Sequence, residues 1–216
     1  MGEENTPQFR GTGDGYYPYG SLMLDSRGNV YGTTFTGGAH GHGTVFKLSQ
    51  GIPWSESLLY SFAGGVFDGA GPMSSLVMDS FGNLYGTTSG RGAHGYGFVF
   101  ELHPGTPWKE SLLHTFVGGT EDGIYPNAGL VMDTGGNFYG TTQVGGAHSL
   151  GIGFKLSVLA SWAETVLHNF AGDTGVHGDG ACPYVGDLIM DRSGNLYGTT
   201  HIGGTNAVGT VFKIVP

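Results

Sequence analysis

The sequence predicts an all-β fold: a β-propeller built from four four-stranded repeats of about 54 residues. Three observations point there. The heptad GNLYGTT stands at residues 82–88 and 194–200, with near-copies GNVYGTT at 28–34 and GNFYGTT at 136–142. DGxxP segments opened by Asp14, Asp68, Asp122 and Asp179 recur at steps of 54, 54 and 57 residues. Short runs alternate apolar with polar residues, Gly, Pro, Asn and Asp mark the breaks, and no helical period persists.

The units run over residues 14–67, 68–121, 122–178 and 179–216, a single repeat domain across 1–216, with 1–13 placed by length to close the ring. In the second unit the strands are 75–79, 83–88, 98–102 and 110–116. DxxGN turns opened by Asp25, Asp79, Asp133 and Asp191 read as structural, because Asp bonds nearby backbone N–H groups and Gly-Asn accepts positive φ. Within the heptad Leu84 and Gly86 share one sheet face, with Tyr85 and Thr87 on the other. A mid-strand glycine implies close approach of a neighbouring sheet, so the heptad is read as the inner packing strand of each blade. The fourth unit ends without a counterpart of WSESLLYSF; MGEENTPQF aligns with it by length, Phe9 on Phe62 and Glu3 on Glu56. That strand closes a four-bladed monomer, although Asn5, Thr6 and Pro7 replace its apolar core. The alternative is a homodimer in which two chains share a larger ring.

Composition narrows the function classes. The 216 residues include 44 Gly but also abundant apolar and aromatic side chains, as in a folded, turn-rich chain. Few charges and a net charge of -9 disfavour nucleic acid and anionic lipid as partners. Cys182 is the single cysteine, so no internal disulfide forms, and no apolar run is long enough for a membrane helix. MGEENTPQF lacks the regions of a signal peptide, and no N-x-Ser/Thr acceptor occurs.

The combination of GNLYGTT (194–200), GGAHG (37–41), GTVFKL (43–48) and the SFxGGxDGxxP region around 62–72 resembles the GloVer-type tandem-repeat proteins of bacteria. The resemblance covers all four units. It implies an exported protein at the cell surface or outside the cell, in a family whose members are often longer and carry a C-terminal anchor. It brings no catalytic residues with it.

Candidate site residues follow from topology. The connections between successive blades (DGxxP) and between second and third strands (GGAHG) are expected on one face, the default binding surface. His40, His94 and His148 share a register in the GGAHG loops and are the metal candidates, with zinc or copper as their divalent ion, calcium being considered for the ring of aspartates. Bonding to loop backbone is their bland alternative. Asp14, Asp68, Asp122 and Asp179 either cap their own turns or hold a cation or ligand near the axis. Trp54, Trp108 and Trp162 pack between blades or offer platforms for a glycan or other surface polymer. The asymmetric segment 171–184 supplies His177, Asp179 and Cys182, with His201 nearby, as a weak catalytic set. The function expected is a binding or scaffold module; a metal-dependent polysaccharide lyase or hydrolase, or a structural repeat of a surface assembly, are the rivals.

Overall fold

The computed structural model describes residues 8–11, 13–51, 53–172, 178–184 and 186–216. In the first unit strands β1 (Met23–Leu24), β2 (Val30–Thr34), β3 (Thr44–Ser49) and β4 (Ser55–Ser61) pair antiparallel in that order. The second unit opens with a rim strand, β5 (Gly69–Ala70), and continues through β6 (Val77–Met78), β7 (Leu84–Thr88), a second rim strand β8 (Gly90–Arg91), β9 (Phe98–His103) and β10 (Lys109–Thr115). The third repeats this as β11 (Gly123–Ile124), β12 (Val131–Met132), β13 (Phe138–Thr142), β14 (Val144–Gly145), β15 (Ile152–Ser157) and β16 (Ala163–Asn169). The fourth holds β17 (Gly180–Ala181), β18 (Ile189–Met190), β19 (Leu196–Thr199), β20 (Ile202–Gly203) and β21 (Val211–Ile214). The sheets β1-β2-β3-β4, β6-β7-β9-β10, β12-β13-β15-β16 and β18-β19-β21 stand as the four blades of a propeller. The heptad strand is therefore second in each sheet, beside an innermost strand of only two residues.

Local chemistry sets each blade's first hairpin. One Asp25 oxygen accepts the N–H groups of Arg27 and Asn29, and the other accepts Asn29 Nδ2 and the Tyr31 hydroxyl. Asp79, Asp133 and Asp191 repeat all four bonds. Gly28, Gly82, Gly136 and Gly194 complete these turns at φ between 80° and 84°. Burial acts to raise the Asp25 carboxyl, but its hydrogen bonds together outweigh that and hold it at about 2. The heptad tyrosine thus belongs to the turn as much as to the strand.

The mid-strand glycine has a different reason from the one the sequence suggested. Gly32, Gly86, Gly140 and Gly198 lie opposite Phe46, Phe100, Phe154 and Phe212 of the next strand in the same sheet. A Cβ at any of them would stand 2.5–2.7 Å from that ring. The tip of the ring fills the space the glycine leaves. A phenylalanine ending the preceding outer strand then meets it edge-on: Phe62 on Phe100, Phe116 on Phe154 and Phe170 on Phe212, at centroid separations of 5.0–5.3 Å. Phe9 meets Phe46 in the same way at 5.0 Å, the place its alignment with Phe62 implies. Residues 1–7, including Glu3, lie outside the described residues.

Strict alternation would commit an outer strand to one neighbour, and a bulge avoids this. Register slips by one residue between Leu112 and His114, and at matching points opposite Val45/Phe46 and Gly153/Phe154. Leu112 accordingly packs with the first interface, while Leu113 and Phe116 pack with the second. Three apolar cores result. Tyr31, Val45, Phe62, Leu76 and Phe100 are central to the core between blades one and two. Tyr85, Val99, Phe116, Leu130 and Phe154 fill the next, and Tyr139, Leu188, Leu196 and Ile214 the third. Hydroxyl groups of Thr33 and Thr87 reach across to the Ser74 and Ala128 carbonyls of the following blade, both at 3.1 Å. Among the described residues no core joins the fourth blade to the first.

Replacing Gly86 with Ala forces a methyl into the Phe100 ring. We expect a loss of about 1–3 kcal/mol in chemical denaturation, whereas Gly90→Ala, with open space around it, stays near wild type.

Candidate functional site: an axial cleft

Both classes of connection emerge on one face, because they pair with each other. β5 bonds to β8, β11 to β14 and β17 to β20, and Tyr16 bridges Thr36 in the first unit. The DG glycine permits this. A Cβ on Gly69, Gly123 or Gly180 would stand within 2.5 Å of the buried second threonine of the heptad, Thr88, Thr142 or Thr200.

The residue before each repeated proline is fixed from both sides. The N–H groups of Gly71, Tyr125 and Cys182 donate to His42, Tyr96 and Leu150 of the preceding unit. Their carbonyls accept from Ser89, Gln143 and His201 of their own unit. These residues adopt left-handed φ of 67°, 60° and 53°, as does Tyr17 at 60°. For tyrosine and cysteine that backbone is strained, and the paired hydrogen bonds maintain it.

The proline then delivers the next residue over the axis. Side chains from all four units line a cleft of ≈ 770 Å³ there. Tyr19, Phe35, Tyr125 and Tyr184 supply rings; Asn127, Gln143, Ser75 and Ser89 supply amides and hydroxyls. Asn127 Nδ2 donates to Gln143 Oε1 at 2.9 Å, which orients both amides. Among the described residues Asp187 is the one carboxylate in the lining, and no Lys or Arg joins it. It accepts the Gly129 N–H at 2.7 Å and the Ser75 hydroxyl at 2.6 Å, tying the second, third and fourth blades together at their inner ends. Uncharged donors and acceptors between aromatic faces suit a neutral, hydroxyl-rich ligand better than an anion.

Most residues singled out from the sequence lie elsewhere. Asp14, Asp68, Asp122 and Asp179 are absent from the cleft lining and cap backbone instead. They accept N–H groups of Arg10 and Gly11, Ala63, Val117 and Gly123, and Ala171 and Gly180 respectively. His40, His94 and His148 are exposed, and among the described residues they do not gather into a ligand set, because each loop carries its histidine out on its own blade. Trp162 packs on Phe138 at 5.6 Å, Trp108 borders the first core, and Trp54 is half-buried. His177 lies outside the described residues. Asp179 binds His168 at 3.0 Å, and burial pushes the Cys182 thiol up, which weakens it as a nucleophile. His201 reaches the rim, its ring 6.2 Å from Tyr184. Sequence reasoning missed Asp187. Its signal was the break in a column otherwise occupied by Ser21, Ser75 and Gly129.

Two of the capping aspartates, Asp68 and Asp122, each meet a half-buried glutamate from the outer strand of their own blade, Glu110 and Glu164. At the first interface the Tyr60 hydroxyl contacts both Asp68 (3.3 Å) and Glu110 (3.1 Å). At the second, His114 takes the tyrosine's place, with Nε2 3.5 Å from Asp122 and 3.6 Å from Glu164. These three are the described set whose donor atoms lie within 4.8 Å of one another and could hold a metal ion. The tyrosine version of the same contact manages with a shared proton. Burial, reinforced by the neighbouring aspartate charge, raises Glu110 to about 8 and Glu164 to about 9.

The sign follows from those raised values. Between about pH 5 and pH 9 the folded chain holds protons that unfolded glutamates have released, so stability falls as pH rises. Thermal melts will show this decline. Glu110→Gln, neutral at every pH, removes its share of the slope and narrows the difference between pH 5 and pH 9 by about 1–3 kcal/mol. His114→Tyr copies the first interface; His114 Nε2 has no hydrogen-bond partner, whereas the Tyr60 hydroxyl reaches both carboxylates, so the variant gains about 1 kcal/mol at pH 7 by the same measurement.

No curated protein matches the chain. A solved structure provisionally assigned as a gluconolactonase aligns over 91% of this chain and 63% of its own, at 14% identity and a TM-score of 0.49. The chain thus spans less than two thirds of that protein, and the likeness is too distant to carry its chemistry over. The sequence pattern described as the Gloeobacter/Verrucomicrobia repeat matches residues 4–118 and 54–216. With four repeats that between them account for nearly every residue, the chain belongs to the Gloeobacter/Verrucomicrobia repeat family.

Proposed function

We propose that the protein is a glycan-binding module, held at the cell surface or released from the cell, that takes a short stretch of neutral sugar chain in its axial cleft. One observation carries this reading: three positions at which the four units differ meet at or beside the cleft. Tyr19, Met73, Asn127 and Tyr184 occupy one such position; Phe35, Ser89, Gln143 and His201 another; Ser21, Ser75, Gly129 and Asp187 a third. Construction repeats its residues, whereas a ligand without fourfold symmetry needs different groups around it. Tyrosine faces stack on sugar rings, and the oriented amides and Asp187 accept and donate to hydroxyl groups. The volume lies within the range of about 300–1,000 Å³ usual for small-ligand sites. A single lining carboxylate favours holding a hydroxyl over the paired-carboxylate chemistry of glycoside hydrolysis.

Titration calorimetry against a panel of neutral oligosaccharides tests this. Binding tighter than about 1 mM is expected for at least one, without release of product. Tyr19→Ala and Tyr184→Ala, both at exposed rings, weaken it about tenfold. A panel without a binder, or affinity indifferent to both variants, overturns the reading.

A further inference from the structure

Three blade interfaces repeat nearly the same pairing, and each end of the series bears half of it. Leu76, Leu130 and Leu188 are 4%, 4% and 5% exposed because each enters the core of the preceding blade, yet Leu22 is 61% exposed. Val45 and Val99 are fully buried against the following blade, yet Val211 is 78% exposed. Ile189 follows suit: its counterparts Met23, Val77 and Val131 pack in cores, while it is 68% exposed. Polar groups agree. Thr33 and Thr87 bond to a carbonyl of the next blade, whereas Thr199 is exposed and its counterpart acceptor would be the Gly20 carbonyl.

We propose that these two faces meet in trans, so that the fourth blade of one copy packs on the first blade of another, head to tail. The occupant is a second copy because the chain carries the complement of each face: the Leu22 face resembles three faces that surfaces bearing Tyr31, Tyr85 and Tyr139 already cover, the first two with Val45 and Val99 beside the tyrosine, and the Val211 side is a surface of the same kind. A contact built this way is heterologous, since each copy presents a different face, and it propagates until the ring closes. It is apolar at its centre, so salt does not dissolve it.

The test is sedimentation velocity with the intact chain up to about 100 µM, at low and high salt. Wild type is expected to associate beyond one chain mass of 22.5 kDa at either salt concentration. Leu22→Lys and Val211→Lys alter exposed residues, so each is expected to retain the wild-type melting temperature of a single chain and to sediment as a monomer. Mixed together, these variants still offer one intact face each, and a one-to-one pair returns. A wild type that stays monomeric overturns the proposal. So does association that survives both substitutions, or a large fall in melting temperature for Leu22→Lys as a monomer, which would mean that the faces close within one chain.

Discussion

A phenylalanine ring lying over a glycine is the contact on which the propeller depends. Without the glycine at positions such as Gly86, the Phe100 ring would have to move from its place on the sheet, and its T-shaped contact with Phe62 would go with it. Because the ring is both partner to its own strand and target for the preceding blade, one pair of residues sets strand register and blade spacing together. The outer-strand bulge completes the scheme by turning Leu113 and Phe116 toward the following blade after Leu112 has served the preceding one. Few charges are needed in such a structure, since aromatic edges, turn carboxylates and threonine hydroxyls hold neighbouring units in place.

Much of this was legible in the sequence. Spacing identified four units, alternation identified strands, and the DxxGN turn explained itself through Asp and Gly chemistry. The shared side of the DGxxP and GGAHG connections also followed from topology alone, and the rim ribbons bear it out. The glycine's partner was not legible, because a period of two says which face a residue takes but not which ring will cross it. Neither was the bulge: Leu58-Leu59 reads as ordinary hydrophobic sequence, and the extra residue shows only in pairing.

The site was harder, for a physical reason. Repeated polar residues draw the eye, and His40, His94 and His148 or the four DG aspartates look like ligand sets because they recur. Recurrence here reflects a task done once per blade, such as capping the N–H of Ala63 or Val117. Axial residues meet at one place in the molecule, so they are free to vary between units, and in the sequence that variation passes for noise. Asp187 illustrates the point: a carboxylate in a column of small residues is unremarkable until its contacts with Ser75 and Gly129 place it at the centre.

The half-buried proton-bearing glutamates set the blades' preference for mildly acid surroundings against the chain's colloidal behaviour. Its isoelectric point is ≈ 5.3, so the conditions that hold neighbouring sheets most firmly are those in which molecules repel each other least. A more alkaline medium restores mutual repulsion while loosening the seams inside each molecule. The chain therefore trades cohesion within itself against dispersal among its fellows, and the ambient proton concentration decides which it has.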